Sequence, residues 1–474
     1  LYKYIIYANI IDREAMQYDK NKNDEREQLA SRLGFLLISA GCAIGLGNIW
    51  RFPYITGKYG GAAFVVIYLA FLLLLGFPIL LMEYSIGRAG KLNIAGAMRK
   101  LEPSGTKWHL FGYMGIVGNI ILVMFYTTVA GWGIAYIYYS ITGSFNGLSP
   151  QEVGDFFGNF LSNPKEIVFW MGIVVISGFW VCSRGLQNGA EKISKRLMAG
   201  MFVILIILVF KSVSLEGASA GILFYLKPDF SLINRDAVYA AMGQAFFTLS
   251  TGAGGMAIFG SYIGKERALP GEAMNVVVLD TSIALLAGLV IFPAAFAFGV
   301  DAGSGPELLF VTLPNIFNNM KWGIMWGFLF FVFLSSAAMS TVIAIFENIM
   351  AFTMDEWGWS RKKAALVDGI GIFVLSLPCA LSFGPLSSIQ PFGPGSGILD
   401  LEDFIFSYNI LPIGAISIVL FCALKRGWGW DNFLTEANTG IGKKIPEWSK
   451  YYARYVLPLV ILVILVQGWI NLFK

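Results

Sequence analysis

Long apolar runs decide what this chain can become. A helix needs about 20 apolar residues to cross a bilayer. Eleven stretches of the 474-residue sequence qualify, near 34–56, 61–87, 110–143, 166–184, 194–214, 238–262, 273–299, 322–354, 364–383, 402–424 and 453–473. Backbone polar groups inside hydrocarbon must be satisfied within the chain, and runs this long do so as helices. The expected fold is therefore an all-α integral membrane protein of eleven transmembrane helices. Composition agrees: 56% of residues are AVILMFWYC and 14% are charged, against about 45–50% and about 25% in soluble domains. Residues 307–319 are apolar but too short to cross, and read as a surface helix or hairpin before the eighth span.

The connections set the orientation. With the N-terminus cytoplasmic, the inside connections at 88–109, 184–196, 265–267, 361–363 and 425–454 carry 20 Lys and Arg, and the outside segments seven. Positive charge gathers on the cytoplasmic side of membrane proteins, so a cytoplasmic N-terminus and an outside C-terminus are expected, in a plasma or bacterial inner membrane. The connections are short, which leaves no room for an inserted soluble domain.

Other chemistries lack their parts. The four cysteines, Cys42, Cys182, Cys379 and Cys422, form no CxxC pair, and His109 is the single histidine. That removes a His-based triad and a zinc site. No GxxxxGK[ST] phosphate loop occurs. An enzyme is not expected, nor a nucleic-acid partner.

Two of the apolar runs carry residues that resist helix formation. The stretch AGCAIGLGNIWRFPY, residues 40–54, holds Gly41, Gly45, Gly47, Asn48, Arg51 and Pro53. Each glycine costs roughly 1 kcal/mol relative to Ala in a helix, and an arginine at mid-membrane about 2.5–3.5 kcal/mol on insertion scales. The sixth run, QAFFTLSTGAGGMAIFGSY (244–262), places Gly252, Gly254 and Gly255 after Thr248, Ser250 and Thr251. Non-helical backbone at membrane depth is tolerated where protein or a cavity surrounds it. Two interrupted spans, five apart, point to a transporter built from inverted repeats. At such breaks, amides suit an anionic group and bared carbonyls suit a cation or an ammonium. The turn Gly45-Leu46-Gly47 offers amides free of side-chain obstruction.

The segment RLGFLLISAGCAIGLGNIWRFPY resembles the first span of the sodium-coupled neurotransmitter and amino-acid symporters, whose bacterial prototype is the leucine transporter. The likeness continues through YGGAAFVVIY, GFPILLMEYSIGR, GQAFFTLSTGAGG, SYIGKE and LKPDF. It implies a 5+5 inverted repeat with broken helices one and six plus an eleventh helix. Residues 1–30 would form a cytoplasmic segment, 31–216 the first repeat, 238–424 the second, and 453–474 the last span. It further implies sodium-driven uptake of a small molecule by alternating access, with two sodium ions expected.

The resemblance also assigns residues. The first sodium would meet Ala43, Asn48, Thr248 and Asp280; the second would meet Gly41, Ile44, Ala337, Ser340 and Thr341. Substrate would contact Ala43, Gly45, Leu46, Gly47, Leu122, Tyr126, Phe247, Thr248, Ser250, Ala253, Thr341 and Ile345. An outer gate would pair Arg51 with Asp403 beside Gln244, and an inner gate would join Arg26, Asp355 and Tyr262. Glu83 is expected to accept hydrogen bonds from the unwound sixth span.

Three positions depart from the family's or the prototype's pattern. Asp280 stands where Asn is usual, and Ala284 where the prototype has a glutamate. The animal transporters use chloride, held partly by a tyrosine that corresponds to Tyr68; a fixed charge on Asp280 implies no chloride requirement here. Ala253 replaces a phenylalanine of the prototype, which leaves room for an aromatic or bulky neutral amino acid. An amine, betaine or osmolyte symporter, or a non-transporting amino-acid sensor, remain the alternatives. Oligomeric state is not legible.

Overall fold

The apolar runs become helices, and their ends fall where a side chain or a glycine can take over the backbone's hydrogen bonds. The computed structural model describes residues 27–300 and 307–472, with side chains to 470, and contains no β-strand among them. Helix α1, Arg32–Ala43, starts at Ser31, whose hydroxyl accepts the Gly34 N–H. After a break it resumes as α2, Gly47–Lys58, bent by 57° from α1. Next come α3 (Ala62–Gly90) and the short α4 (Ile94–Leu101), whose cap Asn93 accepts the N–H groups of Ala95 and Gly96. Helices α5 (His109–Ile141), α6 (Pro164–Ser183) and α7 (Leu186–Val213) follow.

The second half begins with α8, Arg235–Thr248, capped by Asn234, and α9, Gly255–Ser261. It continues through α10 (Leu269–Ala297), α11 (Gly323–Trp357), α12 (Arg361–Leu381), α13 (Ile398–Ala423) and α14 (Ser449–Ile470). Ser360 caps α12, and α11 ends at Gly358, whose φ of 64° costs little without a Cβ.

Among the described residues, nine helices are long and apolar enough to cross a membrane, and the bent pair α1–α2 makes a tenth. The expected sixth span is present only in pieces. Its α8 has 14 residues and α9 has 7, about 21 and 10 Å at 1.5 Å per residue. Neither crosses a hydrocarbon core alone.

Packing puts the discontinuous helices at the centre. Helix α1 lies against α7, α10 and α11, while α8 and α9 both lie on α3. Helices α12 and α14 sit outside, with 33% and 22% of their apolar windows buried. Their Leu366, Ile370, Leu459 and Leu462 face outward, a surface suited to hydrocarbon.

The stretch expected on the surface is buried instead. Leu308–Asn318 is helical, with Leu308, Leu309 and Phe310 fully enclosed. Phe310 stacks on Phe157 at 5.4 Å and meets the rings of Trp132 and Tyr136 edge-on. That aromatic nest gives the short segment a core to enter, which its length alone does not reveal.

Candidate functional site

The first break is held open by side chains. Helix α1 ends at Ala43, and Ile44 leaves the helical region with ψ 98°. The Gly45 N–H then turns to Asn48 Oδ1 at 3.2 Å, and the Leu46 N–H to the Tyr126 hydroxyl at 3.0 Å. These amides are committed to neutral side chains rather than to a helix ladder. Glycine is required for the approach: a Cβ at Gly45 would lie 2.3 Å from Tyr126 Oη and 2.7 Å from Thr341 Oγ1, and one at Gly47 would lie 2.8 Å from Phe247 Cε1.

Two oxygen clusters flank this break. In one, Asp280 of α10 meets residues from both broken spans. Asn48 Nδ2 donates to Asp280 Oδ1 at 2.8 Å and faces the Asp280 carbonyl at 3.2 Å. The Thr248 hydroxyl donates to Asp280 Oδ2 at 3.0 Å. All three side chains are buried, and both hydrogen-bond partners of the carboxylate are neutral. A buried carboxylate attended only by neutral groups is a strong local attractor for a cation. Three of the four residues expected at the first sodium thus come together; Ala43 is the last residue of α1.

The other cluster is neutral. Ser340 Oγ lies 3.1 Å from the Gly41 carbonyl and 2.8 Å from that of Ala337. Thr341 Oγ1 lies 3.1 Å from Gly41, 3.2 Å from Ile44 and 3.5 Å from Ala337. Two hydroxyl protons cannot serve five oxygen–oxygen contacts at once. The surplus of lone pairs is what a dehydrated alkali cation needs in place of its water shell. All five residues expected at the second sodium converge here.

The second break is held by a carboxylate. Glu83 of α3 accepts the Gly252 N–H at 2.6 Å and the Met256 N–H at 3.1 Å, as expected. Gly252 (φ 109°) and Gly254 (φ 70°) carry the reversal, and Ser250 is drawn to φ 50°. A Cβ at Gly252 would lie 2.2 Å from the Leu411 carbonyl oxygen, so the break packs directly on α13.

Above the first break lies a cavity of about 620 Å³ whose walls include Leu46, Gly47, Tyr126, Phe247, Arg51 and Asp403. Leu122, Ala253, Thr341 and Ile345 are buried and do not line it. Nor do Ser250 and Ala43. Ala253 gives its carbonyl to Asn119 Nδ2 at 3.0 Å, which ties the second break to α5.

The outer gate is expected to be a pair that can break and reform. Arg51 and Asp403 both line the cavity, without an ion pair between them among the described residues. The Arg51 guanidinium lies 4.2 Å from the Phe247 ring centroid, and Asp403 Oδ1 accepts the Ser407 hydroxyl at 2.6 Å. Gln244 does not line the cavity. It is buried and donates from Nε2 to the Gly47 carbonyl at 3.2 Å, so it joins α8 to the first break. Asp236, Asp400 and Lys58 also line the cavity; the sequence reading missed them because each sits in an unremarkable polar helix end.

At the opposite end, Arg26 lies outside the described residues. Asp355 accepts the Asn93 N–H and Nδ2 at 2.8 and 3.1 Å. The Tyr262 hydroxyl donates to Glu347 Oε1 at 3.0 Å. Glu347, fully buried on α11, also takes Arg361 at 2.8 Å, and Arg361 reaches Glu27 at 2.8 Å. Glu347 and Arg361 were not foreseen. The sole signal was an unexplained acid inside an apolar helix, a pattern that asks for a partner.

With this geometry in view, comparison with known proteins is decisive. The model of the "Sodium:neurotransmitter symporter family" matches residues 26–149 and 158–474. The chain belongs to that family. It is a multi-pass membrane transporter of a sodium-dependent kind, not an enzyme. It is 36% identical over 439 residues to the uncharacterized sodium-dependent transporter YhdH of Bacillus subtilis (strain 168), covering 92% of this chain and 96% of that one. It is 26% identical over 495 residues to the sodium-dependent serotonin transporter of Drosophila melanogaster, covering 93% of this chain and 76% of that one. The crystal structure of MhsT in complex with L-phenylalanine is similar, with a TM-score of 0.84 and 40% identity over 94% of this chain and 100% of that one.

Proposed function

We propose that this transporter imports neutral amino acids with large apolar side chains, aromatic ones foremost, driven by inward sodium and without a chloride requirement. The observation that carries the reading is the pairing of two cation-suited oxygen clusters with one interrupted backbone. Sodium at the Asp280 cluster would draw Asn48 and Thr248, and so both broken spans, onto one charge. Sodium at the Ser340–Thr341 cage would tie α1 to α11. The substrate carboxylate would displace Asn48 Oδ1 from the Gly45 amide and the Tyr126 hydroxyl from the Leu46 amide, freeing that hydroxyl to donate to it, and its ammonium would face carbonyls of Ala43, Phe247 and Thr248. Ala253 is off the vestibule wall here; its small side chain would leave room for a ring once the substrate is enclosed, and the L-phenylalanine bound to the similar MhsT supports that size class.

Eleven spans in two inverted repeats, 31–216 and 238–424, with the N-terminus cytoplasmic, complete the proposed architecture. Alternating access follows if the vestibule closes over Phe247 as the Glu347–Arg361 end opens. Purified protein in proteoliposomes under a sodium gradient tests this across all twenty amino acids. Accumulation of phenylalanine, tyrosine, tryptophan or leucine, undiminished when gluconate replaces chloride, is expected. Binding without accumulation would favour a sensor, and uptake of betaine in place of amino acids would favour an osmolyte carrier.

A further inference from the structure

Helix α13 carries Asp403 on one face and is interrupted just beyond it. Residues 406–410 form a π-turn, in which the Leu411 N–H reaches back to the Phe406 carbonyl. A π-turn holds one residue more than an α-turn. Converting it to α-geometry rotates the helix on one side by about 100°, one residue's share of a 3.6-residue turn. Asp403 lies one turn before this feature, so the turn's winding sets where its carboxylate points.

Asn409 straddles the turn. Its Nδ2 donates to the Phe404 carbonyl at 3.0 Å, and its Oδ1 accepts the indole N–H of Trp469 at 3.0 Å. Trp469 belongs to α14, which lies outside both proposed repeats. The adjoining Gly468 admits Tyr408: a Cβ there would lie 2.8 Å from Tyr408 Cδ1. The rings then interlock, with Phe404 stacked on Tyr408 at 5.8 Å and edge-on to Trp469 at 5.5 Å. Ser407, inside the turn, holds Asp403 Oδ1. Gln467 and Gly468 reach the vestibule wall alongside Asp403, Ser407 and Tyr408.

We propose that the last helix is a clip on this π-turn, with Trp469 and Asn409 as positioning residues that hold Asp403 in the register from which it can meet Arg51. The clip is a local property of α13 and α14; its effect on transport rests on the function proposed above. Two measurements separate these.

The first needs no substrate. Backbone hydrogen exchange across residues 406–411 is compared between wild type, Trp469→Phe and Gly468→Ala. Trp469→Phe deletes one donor and keeps the ring, and the loss of one hydrogen bond predicts about tenfold faster exchange. Unchanged exchange in both variants overturns the clip, whether or not the protein transports anything. The second measures dissociation of L-phenylalanine in sodium. Trp469→Phe is expected to raise the off-rate several-fold in the wild-type background and to add nothing in Asp403→Asn. An equal, additive effect in both backgrounds overturns the link to Asp403. Asn409→Asp, which keeps the acceptor for Trp469, is expected to retain more of the slow dissociation than Asn409→Ala; equal loss in both contradicts the assigned role.

Discussion

The two oxygen clusters beside the first break share the same helix end but not the same electrostatics. At one, Asp280 brings a formal charge, and Asn48 and Thr248 surround it. At the other, five neutral oxygens from Gly41, Ile44, Ala337, Ser340 and Thr341 crowd together with two protons between them. A cation entering the first cancels a charge, while one entering the second brings a charge into a neutral cage. The charged cluster should therefore dominate affinity and remove the need for an anion. The neutral cage should act chiefly by geometry, fixing α1 against α11.

The comparison breaks most readily at Asp280. Asp280→Ala removes the only formal charge of its cluster, and stripping one member from a buried ionic site costs about 3 kcal/mol or more. Sodium half-saturation, read by calorimetry or radioligand binding, is expected to rise about 100-fold. An unchanged value would leave no distinction between the clusters.

Gly45→Ala comes next. Its Cβ would collide with Tyr126 Oη and Thr341 Oγ1 together, so it strikes the substrate turn and the neutral cage at once. Loss of phenylalanine affinity by one to two orders of magnitude is expected, by analogy with overpacking costs of about 1–3 kcal/mol. Gly200→Ala, which meets nothing within 4 Å, serves as the control and should bind as wild type.

Thr341→Val sharpens the neutral side. It deletes one hydroxyl that contacts three carbonyls, worth about 1–1.5 kcal/mol. Roughly tenfold weaker sodium activation is expected, with chloride independence kept. A new halide requirement in this variant would mean that the charge at Asp280 is not what makes chloride dispensable.

The smallest effect concerns selectivity. Ala253→Phe is expected to shift preference from tryptophan towards leucine several-fold, the scale of a few methylenes in an apolar pocket. Competition binding measures it, and an unchanged ranking would remove Ala253 from the specificity argument.

Much of this was legible in the sequence because the relevant residues break local rules. Glycines inside an apolar run mark both interruptions, and Asn48 stands out beside the first. The grouping of Asn48 with Thr248 and Asp280, and the role of Glu83, came from the resemblance to the symporters. What escaped notice depended on distance along the chain. Glu347 and Arg361 meet across the turn between α11 and α12, and each alone resembles an ordinary acid or a helix-end base. The resemblance placed Gln244 near Arg51; its side chain serves the Gly47 carbonyl one turn before that arginine. Leu308–Asn318 was too short to announce burial, since the rings that receive it come from other helices. The π-turn at 406–410 does have a signal, Pro412 just beyond it, whose missing N–H removes the α-type bond to residue 408, but the apolar run around it hid that mark.

The central claim is that the first break holds sodium and a zwitterion together. Phenylalanine binding to the purified protein, titrated with sodium at constant ionic strength in gluconate salts, tests it most directly. Saturable binding that rises with sodium and vanishes in potassium or choline is the result this account predicts. Equal binding in potassium, choline and sodium would contradict it.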